Sequence, residues 1–295
     1  MTEGLDFTAE DIELMLANLD AFSPEEALEI DRMVDELNTR TANASAYDDL
    51  IEFCKLMQPD YIVGKHHRIL ADMLMAIERG EKDRICVNIP PRHGKSQLVS
   101  IFYPAWFLGR NPDKKVMMVS HTTDLAVDFG RKVRNLIALD DYRSIFPTVK
   151  LAQDSKSAGR WNTNVGGEYY ACGIGSALAG RGADLLLIDD PHSEQDVING
   201  NFEVFDKAYE WFTFGARTRL MPGGRVAIIQ TRWHLDDLTG RVTRDMAQND
   251  RSDQYDVIEF PAIIEVKNKK SKKITEKPLW PEFFDLEALL RTKAS

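Results

Sequence analysis

Residues Ile85 to Ser96 (Ile-Cys-Val-Asn-Ile-Pro-Pro-Arg-His-Gly-Lys-Ser) restrict the fold more than any other stretch of the 295-residue chain. The β-branched run Ile85–Ile89 reads as a buried strand. Pro90-Pro91 ends it, because proline cannot donate to a sheet ladder. Gly94-Lys95-Ser96 then opens a helix. A strand, a tight loop and a helix N-terminus together aim backbone N–H groups at an anion. Lys95 would add a point charge at the β- and γ-phosphates of a nucleotide, and the Ser96 hydroxyl would ligate Mg²⁺. The usual pattern is G-x-x-x-x-G-K-[ST], and here Ile89 stands at the first glycine. A bare Gly-Lys-Ser tripeptide also occurs in surface turns, so partners elsewhere in the chain have to support the reading.

The chain is long enough for one large domain or a domain with appendages. Hydrophobic residues make up 43% of it, which is enough for a sizeable core. No run approaches the ~18 apolar residues of a membrane span. The acidic start, Met-Thr-Glu-Gly-Leu-Asp, lacks the basic n-region of a secretory signal. Cys54, Cys86 and Cys172 are too few and too scattered for a disulfide framework or a zinc site. His66 and His67 are adjacent and would diverge on a helix, which suits structural roles better than a shared metal. The net charge of −10 requires that any contact with DNA come from a local patch or another domain.

Residues 1–45 read as an acidic helical N-terminal extension. Thr8-Ala-Glu-Asp11 and Ser23-Pro24-Glu25-Glu26 both look like helix starts, and the second is the stronger. These helices either pack on the main domain or dock a partner. Asn38 to Ser45 reads as a linker. Further helices are expected at Tyr47–Met57 and, from the apolar stripe Ile69, Leu70, Met73, Leu74 and Ile77, up to Gly80. The loop between them holds Tyr61, Lys65 and His66. These are candidates to touch a nucleotide base, or else ordinary surface residues.

Strands at Lys115–Ser120, Leu185–Ile188, Arg225–Gln230 and Tyr255–Pro261 alternate with helices, which signals a parallel sheet. Trp161 to Ala171 reads as a hairpin turning at Gly166-Gly167, and Met221–Gly224 as a turn. The strand ending in Asp189-Asp190 delivers two carboxylates to the edge where open α/β sheets bind ligands. One acid there can hold Mg²⁺ and its neighbour can orient water. Gln230-Thr231-Arg232 ends another strand and would sit near the γ-phosphate if that strand neighbours the other two. Lys267 to Lys277 carries six lysines in eleven residues. That segment is a solvated loop or a phosphate-backbone contact.

Several blocks in order now resemble a known family. They are Tyr61-Ile-Val-Gly-Lys-His-His-Arg68, Ile89–Ser96, Tyr103-Pro-Ala-Trp-Phe-Leu-Gly109, Ala158-Gly-Arg-Trp-Asn162, Gly180–Pro191, Thr218–Gly224, Gln230–His234 and Pro278-Leu-Trp-Pro281. Together they resemble the ATPase half of the large terminase subunit of tailed bacteriophages, over roughly residues 47–290. The resemblance implies an α/β P-loop NTPase of the ASCE, RecA-like kind, with a mainly parallel central sheet flanked by helices. It implies a nucleotide site of Pro91, Arg92, His93, Gly94, Lys95, Ser96 and Gln97, with ATP and Mg²⁺ as cofactors. Ser96 and Asp189 would hold the metal, Asp190 would be the catalytic base, Arg92 would lie near the γ-phosphate, and Thr231 would couple hydrolysis to motion. Asp190 stands where the family often has glutamate.

The family's motors form rings, so an arginine supplied to a neighbouring subunit is expected. Arg181 is the first candidate and Arg160 the second. The resemblance also implies double-stranded DNA, the portal protein and the small terminase subunit as partners. It implies a pentameric ring when active and a monomer in isolation, working in the host cytoplasm on the procapsid. Residues 46–262 would be the ATPase core. Residues 263–295 would be a basic loop and linker towards a nuclease domain for which the chain has no room, so no nuclease activity is expected. The competing readings are a helicase-like DNA translocase, a small-molecule P-loop kinase and an assembly factor that holds ATP only as a structural ligand.

Overall fold

The computed structural model describes residues 14–15, 17, 22–155, 157–267 and 274–294. The helix start expected at Thr8 and the lysines at 269, 270, 272 and 273 lie outside the described residues. Seven strands form the central sheet: β1 (Arg84–Asn88), β2 (Lys115–Ser120), β3 (Arg160–Asn162), β4 (Glu168–Gly173), β5 (Ala183–Asp189), β6 (Leu220–Gln230) and β7 (Asp256–Glu259). Their spatial order is β3-β4-β2-β5-β6-β1-β7. Every neighbouring pair is parallel except β3–β4, which is antiparallel at one edge. This is the α/β P-loop architecture expected from the sequence. The phosphate-loop strand β1 and the carboxylate strand β5 are not adjacent, because β6 lies between them.

Both faces of the sheet are buried, which is why its strands read as continuous apolar runs and not as alternating ones. Ile85, Val87, Val116, Met118, Leu185, Leu187, Ala227 and Ile229 face the helices Leu50–Met57, Lys65–Arg79, Tyr103–Arg110 and Thr123–Ile137. Cys86, Met117, Val119, Leu186, Ile188, Val226 and Ile228 face the helical segments that carry Phe212, Ala216, Leu238 and Val242. The three cysteines are buried and unpaired. Among the described residues no helix is long and apolar enough to cross a membrane.

The helix after the phosphate loop is not uniform. Lys95–Gln97 is α-helical, Leu98–Phe102 is π-helical, and Tyr103–Arg110 is α-helical again. Pro104 has no N–H to give to the Ser100 carbonyl, and the Tyr103 N–H reaches back to Leu98 instead. The slip places Ser100 against β5.

Two expectations are corrected. Asn38–Ser45 is no linker, since one helix spans Pro24–Asp48. That stretch has no proline or glycine to stop it, and the Thr39 hydroxyl folds back onto the Asp35 carbonyl. The helix does begin at the Ser23 capping box. The expected turn at Met221–Gly224 is instead the start of β6, which pairs Ala183 with Leu220 and then shifts register before Leu185 pairs with Arg225. Gly223, at φ +75°, absorbs the irregularity. The ends of the lysine-rich segment lie in two antiparallel strands, β8 (Ile263–Lys267) and β9 (Ile274–Pro278).

The N-terminal helix is tied to the core through Trp106. Its ring is fully buried and its Nε1–H donates to the Ala46 carbonyl at 3.0 Å. Trp106→Ala should lower unfolding free energy by about 3–5 kcal/mol, the usual cost of emptying a buried tryptophan site. Urea unfolding followed by circular dichroism checks this.

Candidate functional site: a phosphate loop facing paired carboxylates

The carboxyl ends of β1, β6, β5 and β2 meet at one edge, and backbone bonds lace them together. The Ile89 N–H donates to the Gln230 carbonyl (3.0 Å), the Asp190 N–H to Ile229 (3.0 Å), and the His121 N–H to Asp190 (3.1 Å). The strand order thus converts three motifs far apart in sequence into one cleft.

Lys95 is 7% exposed, and its Nζ lies 2.6 Å from Asp190 Oδ2. The other Asp190 oxygen accepts from the Thr231 N–H at 2.7 Å, and the Thr231 hydroxyl donates to the Ile89 carbonyl at 3.3 Å. Lys95, Asp190, Thr231 and the loop backbone are therefore one connected network. Two residues beside it adopt left-handed backbone conformations that L side chains seldom take: Arg92 at φ +60° and Asp190 at φ +44°. Such outliers cluster at functional sites. Arg92 is exposed on the rim of the same cleft, with Pro91, His121, His192 and Trp233.

Asp189 is 1% exposed. Its Oδ2 accepts from the Ser100 hydroxyl at 2.7 Å. Burial, and then the neighbouring Asp190 charge, push its pKa well above the carboxylate range, while Lys95 and the hydroxyls of Ser100 and Ser96 oppose this. Its Oδ1 is buried without a hydrogen-bond partner. A buried carboxylate with a spare oxygen beside a serine hydroxyl is a hard-oxygen donor set that suits Mg²⁺. The expected metal pair, Ser96 and Asp189, is therefore brought together.

Ser100 was not singled out from the sequence. It lies four residues after Ser96, a polar group on the same helical face within an apolar run, and that spacing was a readable signal.

Tyr61 and His66 are placed inside the fold and Lys65 outside it. Tyr61 is buried against Phe102 and His67. His66 and His67 are wholly buried beneath the loop, and both Nε2–H groups donate to the His93 carbonyl, at 3.0 and 2.9 Å. His67 Nδ1 accepts from the Gly64 N–H (3.0 Å), which fixes its tautomer. His93 uses Nδ1 to donate to the Pro91 carbonyl at 2.8 Å. Gly94, at φ +76°, leaves room for His67, since a Cβ there would run into Nε2. Gln97 donates to the Gln58 side chain at 2.5 Å, a partner with no motif to mark it in the sequence. The pair borders a cleft of about 570 Å³ lined by Met57, Ser96, Phe102, Phe129 and Leu136.

Arg181 and Arg160 do not join the cleft. Arg160 Nε lies 2.7 Å from Glu168, and Arg181 3.5 Å from it and over the Tyr170 ring at 4.6 Å. Glu168 opens β4 and Arg181 precedes β5, so Arg181 sits at the amino edge of the sheet, while Arg160, on the outer strand β3, pairs with Tyr170. From the amino edge to Asp189 is about 20 Å, six residues of strand rise.

The histidine cluster has a pH consequence. Burial holds His66, His67 and His93 below the ordinary histidine pKa, and His67 is pushed down to about 3. The folded chain therefore binds fewer protons than the unfolded chain. The stabilisation is complete above the unfolded pKa of about 6.5 and is lost as pH falls below it, for His67 down to about 3, by up to about 1.4 kcal/mol per pH unit per histidine. Thermal unfolding between pH 7.5 and 4.5 should show this loss, and His67→Gln should flatten it.

Residues 86–199 match the family model for the terminase large subunit, T4likevirus-type, N-terminal. Two solved structures are similar. The large terminase of bacteriophage HK97 is 14% identical, with a TM-score of 0.47 over 79% of this chain and 47% of that one. The large terminase of the thermophilic bacteriophage D6E, in complex with ATP-gamma-S, is 13% identical, with a TM-score of 0.42 over 67% of this chain and 44% of that one. The chain thus spans less than half the length of either protein. No curated protein sequence matches it. The matched residues hold the phosphate loop and both carboxylates, so over 86–199 this chain is similar to the N-terminal part of large terminase subunits, the family that its sequence blocks also resemble.

Proposed function

We propose that this chain is the ATPase part of a viral DNA-packaging motor, hydrolysing ATP to drive double-stranded DNA through the portal into the procapsid. The observation that carries the reading is the Lys95–Asp190–Thr231 network across the carboxyl edge of the sheet, of which Lys95 and Asp190 lie in the segment that matches the large-terminase model.

Without nucleotide, Lys95 and Asp190 neutralise each other. A triphosphate on the loop draws Lys95 to its β- and γ-oxygens and leaves Asp190 free to accept a proton from water. The Thr231 N–H keeps one Asp190 oxygen fixed, so the carboxylate is aimed before the reaction. Asp190 is one methylene shorter than glutamate, and its left-handed backbone swings the carboxylate towards the loop. Arg92, on the rim, adds charge beside the γ-phosphate. Ser96 and Asp189 would hold Mg²⁺, which would supply charge to neutralise the phosphates. Gln58 and Gln97 offer amide donors and acceptors beside an apolar cleft, a suitable rest for the base. Thr231 touches both Asp190 and the loop carbonyl of Ile89, which suits a residue that passes the γ-phosphate state to β6.

Arg181 is too far from its own loop to act there. We assign it to the nucleotide of a neighbouring copy in a ring, with Arg160 as its alternate. Portal and small-subunit contacts belong to the same proposal, as does action in the host cytoplasm.

Lys95→Ala should abolish ATP binding. Asp190→Asn should keep binding and lose at least about 10²-fold in turnover, the usual contribution of a general base. A phosphate-release assay with and without DNA checks both, and turnover that survives both changes defeats the site assignment. Arg181→Ala should bind ATP normally but lose about 10³-fold or more in assembled-state turnover, in line with a finger supplied in trans. Mixing Arg181→Ala with Lys95→Ala should restore part of the activity. Normal hydrolysis by Arg181→Ala alone would remove it from the mechanism.

A further inference from the structure

The phosphate loop is held from beneath by contacts that the proposed chemistry does not use. The His93 carbonyl accepts from two imidazoles at once, His66 and His67. A trans peptide is planar, so the His93 carbonyl and the Gly94 N–H point in opposite directions. Pinning the oxygen inward therefore turns the Gly94 N–H outward, to the side where such a loop receives phosphate oxygens. The two histidines set the aim of a phosphate-binding amide.

The rings are themselves covered by a segment more than two hundred positions further along the chain. Trp280 lies edge-on to His67 at 4.7 Å and to His66 at 5.5 Å. Phe284 stacks on His93 at 4.8 Å with the planes 29° apart. A Cβ on Gly64, where the His67-bearing helix begins, would come within 2.8 Å of Trp280 Cδ1. Trp280 is 6% exposed, whereas Phe284 is half-buried. Residues 278–284 join the β8–β9 pair to the last helix, Leu286–Ala294. The strap therefore ties the final element of the chain to the underside of the nucleotide loop.

We infer that the strap 278–284 is a positioning element of the nucleotide site: Trp280 and Phe284 clamp the His66–His67–His93 cluster, fix the Gly94 amide, and are tightened in return when nucleotide binds. Coupling of this kind is reciprocal, because whatever the strap adds to nucleotide affinity, nucleotide adds to strap docking. The inference rests on the ATPase reading only in that the loop binds a nucleotide. It names Trp280 and Phe284 as residues that act through the histidines without touching ATP, and it makes the chain's exit segment responsive to nucleotide occupancy.

The test uses the full chain and ATP-gamma-S with Mg²⁺ as the probe. Trp280→Ala and Phe284→Ala should each weaken ATP-gamma-S binding about tenfold, within the usual range of coupling between sites. KM for ATP should rise in parallel, with kcat within about threefold of wild type, the pattern of lost ground-state positioning. Trp280→Phe should restore most of the affinity. Hydrogen exchange of residues 278–284 should slow when ATP-gamma-S is added to the wild-type chain. If Trp280→Ala unfolds, Phe284→Ala, whose ring is half-buried, carries the test. Unchanged affinity in the folded variants, a loss of kcat alone, or exchange at 278–284 that ignores the nucleotide each overturns the inference. Failure of the wild-type chain to bind ATP-gamma-S overturns the ATPase reading and the strap with it, so the two failures are distinguishable.

Discussion

The ion pair between Lys95 and Asp190 is the contact on which the rest of the site depends. It joins the helix after β1 to the end of β5, across the intervening strand β6. A buried ammonium without a counter-charge would be expensive. Each group makes the other tolerable until a polyanion arrives with a stronger claim on Lys95. The intervening strand is part of the design, because Thr231 at its end holds the second Asp190 oxygen and the Ile89 carbonyl together.

The two aspartates are adjacent in sequence and unlike in environment. Asp189 faces the buried side, where Ser100 and Ser96 meet it, and its own desolvation disfavours the charge. Asp190 has left the strand, has an ammonium beside it, and turns its carboxylate to the cleft. Asp189 is the last residue of its strand, whereas Asp190 lies just beyond it with a left-handed backbone. Two carboxylates of one residue type are thus set apart by their surroundings, one desolvated beside hydroxyls and the other paired with an ammonium.

Beneath the loop the fold uses two buried histidines, His66 and His67, and a tryptophan as supports. The first glycine of the usual pattern is missing, and Ile89 points into the core. Conformational freedom is kept at Gly94, and the orientation of the loop is supplied by donors from the helix Lys65–Arg79. A loop built this way gains direction from its supports, at the cost of acid sensitivity.

Local chemistry along the chain accounts for the elements and for the carriers of charge. The β-branched run before Pro90-Pro91, the Gly-Lys-Ser helix start, the apolar strand into Asp189-Asp190 and the capping box at Ser23 are each written in a few neighbouring residues, and the structure has them there. The hairpin at Gly166-Gly167 and the helix stop at Gly80 were legible for the same reason. How these pieces meet was settled only by packing in three dimensions. That β6 lies between β1 and β5, that Ser100 reaches Asp189 through a π-helical slip, and that Trp280 caps His67 depend on contacts between residues far apart in the chain. The reach of Arg181 is also a matter of strand direction, since a parallel sheet holds the two ends of each strand at opposite edges, a full strand length apart. A local pattern can specify a turn or a cap, but it carries no information on which distant surface will cover it.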